Sequence, residues 1–142
     1  MQKVEHARVP SNVSKIDLGC GKNKKEGFIG IDKIDFGQEI LWDVKKGIPL
    51  PDDSIDEVHS TQFFEHLDEK EINTVVWELV RVCKEGAHIH IEVPSDEADP
   101  SYDIAHYSLW NPSRGRGLFY SCGMQSVNAR KEGDNIVIDL LA

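Results

Sequence analysis

Residues 14–32 read Ser14-Lys-Ile-Asp17-Leu-Gly19-Cys20-Gly21-Lys-Asn23-Lys-Lys-Glu-Gly27-Phe-Ile-Gly30-Ile-Asp32, and Glu39-Ile-Leu-Trp42-Asp43 follows after a polar linker. Three short apolar runs thus end in turn, at a Gly-Cys-Gly bend, at Asp32 and at Asp43. Strands that stop at a glycine turn or a lone carboxylate place polar groups along one edge of a sheet. In open α/β sheets ligands bind at that edge, outside the strand C-termini. Gly19 and Gly21 lack a Cβ, so the backbone can bend sharply there and a ligand can lie against it. Asp32 ends the second run, where a carboxylate can accept from both hydroxyls of a ribose. Asp43 can accept from an exocyclic amine in the same way.

The remaining chain fits this frame. Val13–Leu18, Phe28–Ile31, Glu39–Trp42, Ile55–Ser60 and Ala87–Val93 read as strands. Residues 45–54 carry Gly47, Pro49 and Pro51 and read as a loop. The clearest helix spans about Glu69 to Cys83, because Ile72, Val75, Val76, Leu79, Val80 and Cys83 recur with helical spacing. Asp68 and Glu71 have capping-box spacing, and Gly86 is the expected stop. Strand, helix and strand over 55–93 make one right-handed βαβ unit. Residues 95–112 read as a long polar loop, Leu118–Cys122 as a short helix, and Gln125–Lys131 with Asn135–Leu141 as a hairpin. The expected architecture is a three-layer, Rossmann-like α/β fold, with a mostly parallel sheet and a C-terminal antiparallel hairpin. The stretch from Gly21 to Asp32 is too short for a regular crossover helix, so the first helix is expected to be short or missing.

The order Asp17-Leu-Gly-Cys-Gly21, Gly30-Ile-Asp32, Trp42-Asp43, Ile48-Pro-Leu-Pro-Asp-Asp-Ser-Ile-Asp-Glu-Val58 and Phe64-Glu-His-Leu67 resembles the class I, Rossmann-like S-adenosylmethionine-dependent methyltransferases. The resemblance runs from about Lys15 to about Pro112. It implies S-adenosylmethionine as cofactor and methyl transfer by direct displacement to an acceptor that the sequence does not identify. It also implies site residues: Asp17, Gly19, Cys20 and Gly21 at the methionine part, Asp32 at the ribose, and Asp43 with Val44 at the adenine. His66 and His106 are the candidate catalytic residues, one after the fourth strand and one after the fifth. Asp99-Pro100 and His106-Tyr107 resemble pairs found after the fifth strand in that family. In two places the chain departs from the pattern: Asn23 stands where a third glycine is often found, and the first connection is short.

Length and composition narrow the remaining choices. The chain has 142 residues, enough for one small domain over 1–142, with 1–12 a tail. The formal net charge of −9 weighs against general nucleic-acid binding, which needs Lys and Arg to neutralise phosphates. No run of 18 apolar residues would span a membrane, and three widely spaced cysteines fit a reducing, cytoplasmic setting. His59, His88 and His90 lack the Cys-x-x-Cys company of a structural zinc site, so no metal is expected. Cys20 has no partner base nearby and fits a tight turn as a small side chain. The missing first helix and small C-terminal region leave open a non-catalytic module that keeps the fold, or a homo-oligomer or partner subunit that completes the site. Small size and few lid residues point to a large acceptor or one brought by a partner.

Overall fold

The computed structural model describes residues 7–96, 108 and 110–142. Seven strands form one sheet: β1 (Lys15–Leu18), β2 (Ile29–Asp32), β3 (Ile40–Leu41), β4 (Ile55–Thr61), β5 (Cys83–Pro94), β6 (Gln125–Glu132) and β7 (Asn135–Leu141). Their spatial order is β3-β2-β1-β4-β5-β7-β6. The first five are parallel, while β7 runs antiparallel to β5 and β6 antiparallel to β7. This is the expected Rossmann-like sheet with its C-terminal hairpin. Helix α1 (Glu69–Val82) joins β4 to β5, and α2 (Pro112–Ser121) precedes β6. No described helix is long and apolar enough to cross a membrane.

The pleat of the strands separates core from surface. Ile16, Leu18, Val58, Ile89, Ile91, Ile136 and Ile138 lie on one face and are fully or almost fully buried. They form one apolar cluster with Ile72, Val75, Val76 and Leu79 of α1 and Phe119 of α2. The alternate residues Lys15, Asp17, Glu57, His59, His88, His90 and Asp139 occupy the other face. Among the described residues that second face carries the loop between β1 and β2 and no helix, so the expected third layer is reduced to a loop. Polar side chains at alternate positions make such a face compatible with water. On it the His59 and His90 rings stack 5.4 Å apart, and His90 lies between Asp139 (2.6 Å) and Glu92 (2.8 Å).

Three local expectations need correction. Helix α1 ends at Val82, four residues before Gly86, because Cys83 turns extended and pairs with Ile55 of β4. Strand pairing captures the chain there, and Gly86 sits inside β5 with φ +82°. Helix α2 starts at Pro112 rather than Leu118. The Asn111 side chain caps it by accepting from the Arg114 N–H (2.9 Å), and Pro112 occupies the first turn, where a missing N–H costs nothing. Gly115 and Gly117 hide this helix in the sequence. Gly115 lets the helix pack closely on β7, since a Cβ there would lie 2.8 Å from Ile138 Cδ1. Strand β5 starts at Cys83 rather than Ala87 and runs through Pro94.

Candidate functional site

The bend after β1 is locked to its neighbour. The N–H groups of Gly19 and Cys20 both donate to the Ile31 carbonyl, at 2.8 and 3.3 Å. Gly19 has φ +61°, and a Cβ there would overlap the ring of Phe63, which packs on the bend from the end of β4. Gly21 also has a positive φ, +59°, but no atom lies within 4 Å of where its Cβ would be. Its backbone is therefore bare toward open space. The Gly21 N–H donates to Asp32 Oδ2 (2.9 Å), and the Ile34 N–H donates to Asp32 Oδ1 (3.0 Å). These two bonds fix the carboxylate and leave each oxygen a further lone pair.

The third strand end is built in a similar way. The Trp42 N–H donates to the Asp32 carbonyl (2.9 Å), and its indole N–H donates to the Gly47 carbonyl (2.8 Å). Asp43 Oδ1 accepts from the Lys45 N–H (3.0 Å) and so caps a short 3-10 turn, Val44–Lys46. Gln38 ties the intervening loop down by donating to the carbonyls of Asp32, Ile34 and Ile40.

Gly19, Gly21, Asp32, Asp43 and Val44 all line one cleft of about 780 Å³. His66 lines it too, from the 3-10 turn Phe64–His66 after β4. Its Nε2 lies 3.7 Å from Oε2 of Glu65, a carboxylate only 2% exposed. The chain beyond β5 braces that turn: the Ser108 N–H donates to the Glu65 carbonyl and its hydroxyl to the Phe64 carbonyl. The Trp110 indole donates in turn to the Ser108 hydroxyl (2.9 Å). His106 lies outside the described residues, as do Asp99-Pro100 and Tyr107.

Two of the expected residues do not line the cleft. Strand alternation turns Asp17 to the face opposite Ile16 and Leu18, behind the glycine bend. There it is almost fully buried and accepts from the Lys25 N–H (2.9 Å). Burial pushes its pKa up, against the Lys25 hydrogen bond and the charges of His59, Lys24 and Lys25. Cys20 lies over Gly30, where a Cβ would come within 2.8 Å of its Sγ. Burial, then the nearby Asp17 and Asp32, push its thiol up to about 12, which suits packing and not nucleophilic attack.

Sequence reading missed other parts of the wall. Phe63, Leu67, Trp42, Ile34 and Phe36 supply its apolar surface, and Gln62, Lys45, Asp68 and Glu71 its polar rim. The capping box was legible: Asp68 accepts from the Glu71 N–H (2.8 Å) and Glu71 from the Asp68 N–H (3.0 Å). Its place in the cleft was not. Gln62, at φ +55°, had no local signal; it is held by its N–H to the Glu92 carbonyl and its amide to Asn135.

A family model described as "Methyltransferase domain" matches residues 23–91. The fold is also that of an S-adenosylmethionine-dependent methyltransferase from Archaeoglobus fulgidus, at 17% identity and TM-score 0.78, over 93% of this chain and 87% of that one. Residues 23–91 thus match a methyltransferase domain, and the chain shares the fold of class I methyltransferases. The cofactor of that family is S-adenosylmethionine. This domain is similar as well to a Haloferax volcanii methyltransferase solved in complex with the Trm112 methyltransferase activator (15% identity, TM-score 0.68, 94% of this chain and 84% of that one). A third likeness is to phosphoethanolamine N-methyltransferase 2 of Haemonchus contortus, in complex with phosphomonomethylethanolamine and S-adenosylhomocysteine. There the identity is 14% and the TM-score 0.66, over 85% of this chain and 35% of that one. Among curated proteins no sequence matches the chain. The chemistry of the cleft lining is compatible with S-adenosylmethionine. The cleft offers a bare backbone at Gly21, a fixed carboxylate at Asp32 with free lone pairs, and a largely apolar lining.

Proposed function

We propose that the cleft binds S-adenosylmethionine and that the protein transfers its methyl group to an acceptor. What carries this reading is the convergence of Gly19, Gly21, Asp32, Asp43 and Val44 on one cleft. Asp32 would accept from the ribose hydroxyls. Asp43 and the backbone of Val44 would meet the adenine, beside the apolar Ile31 and Trp42. The Gly19–Gly21 backbone would face the methionine part, with Asp17 acting through the loop that it anchors. The bound cofactor supplies a methyl group already activated on a sulfonium.

The protein's own contribution is then alignment and exclusion of water. Phe63 and Leu67 keep that part of the cleft apolar. His66 can take a proton where the acceptor must lose one, and Glu65 beside it would stabilise the imidazolium that forms. The three free cysteines suit a reducing compartment such as the cytoplasm. A partner-dependent reading is favoured by one observation. Ile34 and Phe36 at the cleft rim are 54% and 44% exposed, so the rim is incompletely covered. That is a state in which an activator subunit, like the one bound by the Haloferax protein, could assist.

Incubation with methyl-labelled S-adenosylmethionine and fractionated acceptor pools tests the proposal. Release of S-adenosylhomocysteine that depends on one fraction supports transfer by the chain alone. Binding of cofactor without release in any pool points to the partner-dependent or non-catalytic reading.

A further inference from the structure

The loop between β1 and β2 stands where a crossover helix is usual. It must hold the glycine bend in shape without the hydrogen-bond ladder and apolar stripe of a helix. One clamp links it to the far wall of the cleft. The Lys24 ammonium donates to the Phe28 carbonyl (2.7 Å) and lies 3.7 Å from Glu39 Oε2. Glu39 in turn accepts from the Gly30 N–H of β2 (3.0 Å). Burial works against the Glu39 carboxylate, but the Gly30 N–H and Lys24 outweigh it and hold its pKa below the usual carboxylate value.

Packing agrees with the hydrogen bonds. A Cβ on Gly30 would lie 2.7 Å from Lys24 Cδ, 2.8 Å from Cys20 Sγ and 3.0 Å from Gln38 Cβ. The loop from one side and the segment before β3 from the other therefore meet over the bare backbone of Gly30. These segments carry Gly21 and Phe36, both of which line the cleft.

We propose that Lys24 and Glu39 are positioning residues for the cofactor: across Gly30 they hold the glycine loop at the spacing that a crossover helix would otherwise impose. The proposal rests on the reading of the cleft as a cofactor site. Neither side chain lines the cleft, so both act through Gly21 and its bond to Asp32. Preorganisation of this kind affects affinity by removing the cost of ordering the loop on binding.

The test uses the whole chain and S-adenosylhomocysteine, with calorimetry, thermal melting and amide hydrogen exchange. Lys24→Met and Glu39→Gln should each weaken binding by roughly tenfold and speed exchange at the Gly21 and Lys25 amides. The melting temperature should move by only about 2 °C, because both side chains are partly exposed. Lys24→Arg should keep most of the affinity, since a guanidinium can serve both partners. Lys15→Met is the control. It breaks a similar exposed pair with Glu57 (3.5 Å) away from the cleft and should leave binding unchanged. Affinities of Lys24→Met and Glu39→Gln within twofold of wild type would overturn the proposal. So would the same loss in Lys15→Met, or unchanged exchange at Gly21. A wild-type chain that is folded yet gives no heat would instead overturn the cofactor reading, and this inference with it.

Discussion

Two connections between neighbouring parallel strands solve the same problem by different means. Between β4 and β5 the chain makes α1, 14 residues with a full capping box and five buried apolar side chains. Between β1 and β2 it makes no helix and is held by side chains bonded to backbone: Asp17 to Lys25, Asp32 to Gly21, Lys24 to Phe28. The helical crossover brings its own share of the core. The loop crossover brings almost none and spends its polar groups on shaping the bend beside the cleft. The fold is thus stabilised at one crossover and specialised at the other.

Mutations should divide along this line, the helical side costing most. Leu79→Ala removes a fully buried side chain from α1 and should destabilise by about 2–5 kcal/mol in denaturant unfolding. Gly19→Ala strikes the bend, where φ is +61° and Phe63 fills the space a methyl would need. It should cost roughly 1–3 kcal/mol of stability and abolish cofactor binding, a pairing that Leu79→Ala should not show below its melting transition. Asp68→Ala takes away the cap of α1 and should cost about 1 kcal/mol.

The smallest expected effect comes from the polar face. Burial alone would lower the pKa of His90, but its hydrogen bonds to Glu92 and Asp139 raise it above the ordinary 6.5. Its stabilising contribution is therefore fully present below pH 6.5 and fades as pH rises through the folded value. Asp139 behaves in the opposite sense. Burial opposes its charge, yet His90 and Arg130 lower its pKa below 3.8. Its contribution is present above pH 3.8 and fades as pH falls through the folded value. Unfolding measured from pH 5 to 9 should show a slight decline above 6.5, and His90→Gln should remove it.

The same contrast explains what could be read in advance. Helix α1 was legible because Ile72, Val75, Val76 and Leu79 repeat with helical period, a signal set by local geometry. The glycine bend, Asp32 and Asp43 were legible as strand ends because each closes a short apolar run. What escaped depended on distant partners. Gly86 looked like a helix stop, but pairing of Cys83 with Ile55 decided the boundary. Gly115 and Gly117 concealed α2, since the close packing at Gly115 is against Ile138 in another element. Asp17 was expected at the ligand and stands behind the loop, because the pleat of β1 turns it to the polar face. Phe63 and Gln62 gave no local sign of lining the cleft; only the sheet order brings the end of β4 beside that of β1.

Titration calorimetry with S-adenosylhomocysteine, on wild type and Asp32→Ala, tests the central claim most directly: that the strand ends converge on one nucleoside. Saturable binding by wild type, weakened at least tenfold in Asp32→Ala with the fold intact, is the predicted result. Equal affinity in the two proteins, or no heat from a folded wild type, would contradict it.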